Sequence, residues 1–493
     1  MAGTHDDVID FAGDFRLKSL VIHNHKGEGF TSSQRGVDIK LLMTEFNIYE
    51  GIYKTAITGS IVVTDTINLI GRLPIQGTER LSFKLTTPGS HKDAHIIDCT
   101  ERSGHPMHIY KLTDKQQVSE GVQIYTLHFC SREFLRNVRT KVSQSYTGTF
   151  DSMVKSIFKD KDYLDSRKKL FTEKTRNQDK VVIPNLTPFA AIGLLSKRAL
   201  ADDKKGAGFH FYETTKGFHF RSWESMCVTK DKQPRDIKQV FRHFMSKMDD
   251  PNLNPEKGHD RPDKIVHAFT NVEQYRFINN FHDVAANTAL GTYGHRVITH
   301  NIFDKSYRID DYNYHNSFGT TEHTDKKSGN SSLNFGIVKT PVDYDDKGVS
   351  DYPESRISVQ PTTRFAHGED TGTFGIDVEQ DGIIEGARQA QQNQVHAGTK
   401  LELLIKGQSA LQPGDLIEFQ IRSIDSANTD GEHDPQYAGR YVITKIRHRV
   451  TSDDYVQVLE CVKDSPFKAY GSTGEKTFYG ISSSSQAKLR DID

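Results

Sequence analysis

The sequence predicts a β-rich α+β protein, with antiparallel β-units at both ends of the chain and an α/β module inserted between them. Three observations support this. The stretch from Gly398 to Ser465 holds four apolar runs divided by turn chemistry. Asp14 to Cys130 is a succession of runs rich in β-branched and aromatic residues. Between them, Thr149–Lys159 and Thr187–Leu200 switch to helical spacing before a Phe-rich hairpin.

In the first unit, FRLKSLVIHN, IKLLMTEFNIYEGIYKTAITGSIVVTD and ERLSFKLTT read as strands joined by turns. His95 to Cys130 continues as β, with His108–Leu112 expected to pair with Val122–Cys130 across a polar Thr113–Gly121 segment. Ser131 then reads as an N-cap, with Glu133 in the first turn of the helix SREFLRNV.

In Thr149–Lys159 the residues Phe150, Met153, Val154, Ile157 and Phe158 fall on one helix face. Thr187 caps the next helix and Pro188 takes its first position, where a missing N–H costs nothing. Lys197 and Arg198 are placed in its last turn, facing the negative end of the dipole. A hairpin follows: Phe209 and Phe211 face one way, Thr214–Gly217 turns, and Phe218 and Phe220 return. His210, Tyr212, His219 and Arg221 occupy its other face.

Lys230–Asp263, charged and rich in Pro and Asn, reads as a connector, and Lys264–Ile309 returns to a β pattern. Asp310–Gln380 is polar and aperiodic; so long a stretch is expected to be an arm or insertion ordered by a neighbour. Asp381–His396 reads as a helix. In the closing unit Leu401, Leu403 and Ile405 alternate as on a half-buried strand. Gln412-Pro413-Gly414-Asp415 is a tight turn, because Pro presets φ and Gly accepts a positive one. Leu416–Ile421, Gly439–Val450 and Tyr455–Val462 are the remaining strands. This unit alone is too short to close a barrel.

A chain of 493 residues exceeds what one core fills, so several domains are expected. No window reaches the ~18 apolar residues of a membrane span, and MAGTHDDVIDFAGDF has acids where a signal peptide needs a basic flank. A net charge of -1 argues against a general nucleic-acid binder. The cysteines Cys99, Cys130, Cys227 and Cys461 are scattered without a CxxC pair, as buried, reduced thiols would be.

The order of the C-terminal pieces resembles the end of the baseplate central hub protein of contractile-tailed (T-even-like) bacteriophages, and the hub part of type VI secretion spike proteins. The shared strand has a Y-x-V-x-x-V-x-H pattern, here Tyr441, Val442, Ile443, Ile446 and His448. The N-terminal run also resembles the family's first barrel, whose LPIxGxExLxF pattern falls on Leu73, Pro74, Ile75, Gly77, Glu79, Leu81 and Phe83. The Phe209–Phe220 hairpin resembles the family's GFHFYETxxGFxFxS hairpin, and Tyr293, Asp304 and Tyr307 its GxYxxxxxxxDxxxxxY strand. The likeness covers most of residues 14–310 and 398–465.

The resemblance implies two antiparallel β-barrel (tube) domains per chain. The divisions would be 1–130 (first barrel), 131–263 (α/β module), 264–310 with 398–465 (second barrel), 311–397 (polar insertion and helix) and 466–493 (tail). It implies a non-enzymatic virion component of the tail baseplate, assembled in the host cytoplasm: a homotrimer forming a pseudo-six-fold ring and a DNA conduit. Its partners would be the tail tube or tube-initiator protein, the spike or cell-puncturing protein and other baseplate proteins, with DNA passing unbound. In the tail, Phe467, Tyr470, Phe478, Tyr479 and Ile481 stand out as apolar partner-docking candidates in a Ser- and Gly-rich background that resists independent folding.

The residues themselves offer little catalytic chemistry. GxGxxG, a P-loop, G-x-S-x-G and H-E-x-x-H do not occur. His105-x-x-His108 and His23-x-His25 could bring imidazoles together but lack Cys or carboxylate partners at ligand spacing, so neither metal nor cofactor is expected. Asp202-Asp203, Asp249-Asp250 and Asp345-Asp346 read as solvated turns rather than a glycosidase pair. Two other readings make contrary demands. A tail-associated peptidoglycan hydrolase needs a Glu/Asp pair in a cleft, and a carbohydrate-binding tail adhesin needs exposed aromatic platforms.

Overall fold

The structure is a computed structural model. It describes residues 13–29, 36–73, 75–87, 96–176, 178–202, 206–229, 235–243, 268–279, 283–301, 305, 307–318, 321–325, 343–362, 385–390, 392, 393, 395, 398–421, 433, 434 and 437–465. The first unit comprises β1 (Arg16–His23), β2 (Val37–Asp38), β3 (Met43–Gly51), β4 (Thr58–Asp65), the single turn α1 (Leu69–Arg72), β5 (Arg80–Thr86), β6 (Ile96–Cys99), β7 (Met107–Ser119) and β8 (Val122–Cys130). Alternation on these strands sends Phe46, Ile61, Leu81, Phe83, Leu127 and Phe129 into one core. Where β4 crosses beneath Phe129 only glycine fits: a Cβ on Gly59 would lie 2.1 Å from that ring and 2.3 Å from the Asn47 carbonyl. The Glu79 carboxylate accepts the N–H groups of Gln76, Gly77 and Thr78 at 2.8, 2.9 and 3.0 Å, which fixes the turn leading into β5.

The Thr113–Gly121 segment is not a polar loop. β7 runs on to Ser119 and stays paired with β8, through register shifts at Ile109/Lys111, Thr113/Gln116 and Gln117/Ser119. Exposed polar residues form a strand here because a partner strand satisfies the backbone, which propensity alone does not anticipate.

The α/β module holds α2 (Arg132–Arg139), β9 (Ser145–Thr149), α3 (Phe150–Lys159), β10 (Leu170–Thr172), β11 (Gln178–Val182), α4 (Pro188–Ser196), β12 (Phe209–Thr214), β13 (Gly217–Ser222) and α5 (Trp223–Cys227). The α3 face Phe150, Met153, Val154, Ile157 and Phe158 is buried against Ile192 and Leu195 of α4 and the hairpin phenylalanines. Helix starts fall where expected, but neither Ser131 nor Thr187 caps through its side chain. The Ser131 hydroxyl is buried without a partner. α4 ends at Ser196, so Lys197 is its C-cap and Arg198 lies beyond it, 3.9 Å from Asp179.

The expected connector contributes a strand: β14 (Gln239–Arg242) pairs in parallel with β20 (Leu416–Gln420). From the next stretch, β15 (Val272–Asn279) joins the C-terminal β19 (Thr399–Lys406). By contrast β16 (Gly294–Asn301), β17 (Tyr307–Asn313) and β18 (Ile357–Thr362) form a separate three-stranded sheet. Of the anchors there, Tyr293 is buried, Tyr307 is exposed and Asp304 lies outside the described residues. The Lys406-to-Leu416 bend is the expected turn, with Gly414 at φ +85° and Asp415 N–H on the Gln412 carbonyl at 3.1 Å.

β21 (Gly439–Val450) and β22 (Tyr455–Lys463) complete a 14-stranded sheet with the path β15-β19-β22-β21-β3-β4-β8-β7-β5-β1-β2. Both β-units thus belong to one sheet. The join is β21 against β3, antiparallel, from Lys445↔Gly51 to Val450↔Phe46. A second core, with Leu401, Leu403, Ile405, Phe419, Tyr441 and Leu459, lies on the C-terminal side of the join. Among the described residues the path does not close on itself.

Candidate functional site

The features that hold the units together lie at three seams, each built from residues far apart in sequence. At the β3–β21 join, Glu50, His448, Tyr455 and Gln457 are buried together. His448 Nδ1 lies 2.7 Å from the Tyr455 hydroxyl and 3.1 Å from Gln457 Nε2, while its Nε2 is 3.3 Å from Glu50 Oε1. Strand alternation places all four on one face of adjacent strands, so a polar plug sits within the apolar sheet. On the solvent side, Arg447 and Arg449 of β21 reach Glu45 of β3, each at 3.1 Å.

The second seam fastens the α/β module. Lys168 Nζ lies 3.0 Å from Glu133 and 2.5 Å from Glu213, all three nearly buried. Glu213 Oε2 accepts the Ile57 N–H at 2.8 Å, linking the module to the first unit. Burial pulls the Lys168 ammonium down, but the two carboxylates outweigh it and hold its pKa above the ordinary value. Burial raises both carboxyls; Lys168 and Ser166 bring Glu133 below its usual value, while Glu213 stays raised. Beside this triad is an apolar seam, where Tyr212, Trp223 and Met226 meet Ile52, Leu416 and Val442.

The third seam ties residues 321–325 to the end of β22. Asp325 lies 3.3 Å from Lys463 Nζ and accepts the Arg440 N–H at 3.0 Å. Asp464 meets His323 Nδ1 at 3.0 Å and accepts the Thr324 N–H at 3.0 Å. Burial pushes the Asp325 carboxyl up to about 6 against the pull of Lys463. Burial also acts upward on Asp464, but His323 and Thr324 prevail and hold it low.

His105 and His108 line a cavity of about 330 Å³ with Arg80, Glu101, Arg132 and Lys168. Burial, then Arg80 and Arg132, push the His108 imidazole down to about 4. The ring is neutral, but those cations repel a metal ion. His23 is buried and His25 exposed, so that pair does not converge. Among the described residues no group of three or more His, Cys, Asp or Glu is placed to share a metal. All four cysteines are buried, and burial pushes the Cys99 and Cys130 thiols up to about 12, which leaves them protonated and unreactive. The docking candidates Phe467, Tyr470, Phe478, Tyr479 and Ile481 lie outside the described residues.

The seams escaped sequence reading because, apart from His448 with Tyr455 and Gln457, their partners stand 33 to 404 positions apart and belong to no local motif. Of the seam residues the sequence marks Glu133 as a first-turn acid, Tyr212 on the hairpin and Val442 and His448 on the shared strand, but none of their seam partners; the Glu133 carboxylate serves Lys168 and Ser166 instead.

The fold and seams define a class: a β-rich α+β protein whose polar chemistry crosslinks units. No protein-family model matches the chain, and no curated protein matches its sequence. Among solved structures it is similar to the tail protein from Neisseria meningitidis MC58, at 10% identity over 90% of this chain and 96% of that one, TM-score 0.47. It is also similar to the 43 kDa tail protein of prophage MuSo2 from Shewanella oneidensis, at 10% identity over 90% and 98%, TM-score 0.48. A third is the E. coli c3393 protein, a component of the type VI secretion system, at 10% identity over 87% and 76%, TM-score 0.38.

Proposed function

We propose that the chain is a structural subunit of a phage tail baseplate, the hub at the tip of a contractile tail. One observation carries the reading: the first and last β-units are fused at fixed register into one sheet by β3 and β21. A rigid pair of β-units in one chain lets a trimer present six similar surfaces to a six-fold tail tube while keeping three-fold symmetry toward a spike. On this reading residues 1–130, and β15 with 398–465, are the two tube barrels, closed by contacts between subunits, while β16 and β17 stand apart in their own sheet. Residues 131–263 and 311–397 clothe the outside. The sequence resemblance to hub proteins supports it, as does the use of buried polar chemistry for crosslinking. The tail, through Phe467, Tyr470, Phe478, Tyr479 and Ile481, docks on the spike or an adjacent subunit. DNA passes a lumen lined by acidic or neutral side chains without binding.

The test is the mass of the protein in complex with its spike partner, together with micrographs scored for rings. Three copies and a ring are expected; one copy in that complex overturns the reading. Tight, salt-sensitive binding of duplex DNA at physiological salt would overturn the inert lumen.

A further inference from the structure

The three-stranded sheet of β16, β17 and β18 has one covered face and one open face. Register decides which residues share each. Ile298 stands opposite Ile309 and Val359; His300 opposes Tyr307, and Arg296 opposes Ile357. Directly opposed residues point to the same side. The side chains of Ile298, Tyr307, Ile309, Ile357 and Val359 therefore form one apolar patch across three strands. Tyr307 is 69% exposed, Ile309 48%, Ile357 51% and Val359 65%. On the opposite face Val297 and Thr299 are buried, and Ser358 Oγ meets Gln389 of the 385–390 helix at 3.0 Å. Arg296, held by Asp311 at 2.6 Å and Glu354 at 3.0 Å, borders the patch with a polar rim. An apolar patch of this continuity on a sheet marks a binding surface.

We propose that this face receives the tail of a neighbouring copy of this chain, through the segment 476–481, Lys-Thr-Phe-Tyr-Gly-Ile. The inference rests on the multimeric reading above and gives the tail its receiving surface. The segment is rich in strand-forming residues, and among the described residues β17 and β18 are outer strands of their sheet, so it adds as a fourth strand, with Tyr479 and Ile481 on the side of the patch and Phe478 on the other. The described chain ends, at Ser465, on the side of the fold that carries this sheet. The Ser465 hydroxyl accepts the Asp325 N–H at 3.0 Å, His323 stacks on Phe318, and Phe318 leads through Tyr314 to Tyr293 at the start of β16. The dozen residues between Ser465 and Phe478 span up to about 40 Å when extended, enough to reach an adjoining subunit. Each copy has one tail and one face. Such a contact is heterologous, and repeated around an axis it closes a ring.

The test titrates a fluorescein-labelled peptide of residues 466–493 onto the full-length protein and reads anisotropy. Saturable binding is expected, weakened about tenfold or more by Val359→Lys or Tyr307→Ser in the protein. A peptide carrying Phe478→Ser, Tyr479→Ser and Ile481→Ser should lose binding equally. Both protein changes lie on the surface, and unchanged thermal unfolding shows the fold intact. Absence of saturable binding, or native binding by both protein variants, overturns the proposal. Sedimentation with the spike partner separates the two ideas. A trimer whose face variants bind peptide normally overturns this contact and leaves the hub reading. A monomer in that complex overturns both the hub and the contact between neighbouring copies, whatever the peptide does.

Discussion

The two insertions fasten to the main sheet in different ways. In the α/β module the charges belong to the module itself: Glu133, Lys168 and Glu213 satisfy one another, and Glu213 also accepts the Ile57 N–H of the first unit. An apolar seam from Tyr212 and Trp223 to Leu416 and Val442 shares the work. In the second insertion the charged pair itself crosses, Asp325 to Lys463, and Asp464 meets His323 Nδ1 beside it. Apolar burial is insensitive to pH and to single contacts. A seam of ion pairs is directional, and each partner left alone is a buried charge. The seam of the α/β module is built for permanence, that of residues 321–325 for exact placement.

Breaking that contrast at its strongest point gives the largest effect. Lys168→Met leaves two buried carboxylates facing each other and should destabilise the module by about 3–5 kcal/mol, read from its urea transition. Tyr212 and Trp223 should remain protected by their apolar neighbours, so the module loosens internally before it detaches. A variant of native stability would mean the triad is not what orders the module.

Asp325→Asn should cost less, about 2 kcal/mol, because Lys463 Nζ still donates to the Ala438 carbonyl. Its signature is local: hydrogen exchange should accelerate at residues 321–325 while β12 and β13 stay protected. Equal acceleration at both seams would erase the distinction drawn between them.

The pH dependence sharpens it further. The folded-state carboxyl of Asp325 lies at about 6, above its ordinary value of 3.8. A raised carboxyl takes its proton earlier in the folded state, so its contribution is lost as pH rises through 6 and recovered below. From pH 7 to 5 the wild type should gain roughly 1 kcal/mol relative to Asp325→Asn. Asp464, held low, works the other way: its contribution is present above the ordinary carboxyl range and fades as pH falls. A flat wild-type difference across that interval would remove the ionised Asp325 from the seam. The smallest change is expected at an exposed pair remote from both seams: Arg276→Ala should alter stability by less than about 0.5 kcal/mol.

Much of the architecture was legible in the sequence because it is local. Leu401, Leu403 and Ile405 alternate and are buried; Phe150 to Phe158 keep a helical face and are buried; Gln412 to Asp415 turn where Pro and Gly require it. What failed depended on partners. β14 is a strand because β20 offers it an edge, and Thr113–Ser119 is a strand because β8 does. Tyr307, expected as an anchor, lies on the open face because its strand joins β16 rather than the main sheet. The seams were invisible for the same reason: no local pattern announces that Lys168 and Glu213 will meet.

The join between β3 and β21 also sets an order in time. Arg447 and Asn47, which meet across it, are 400 positions apart. At ribosomal speeds of about 5–20 residues per second, β21 emerges roughly 20–80 s after β3. Until then β3 is paired on one side by β4 and presents its other edge, Phe46 to Gly51, unpartnered. An open edge of that length is a template for association with other nascent chains. β21, made so long after β3, therefore acts as the cap that ends the most hazardous interval of the protein's synthesis.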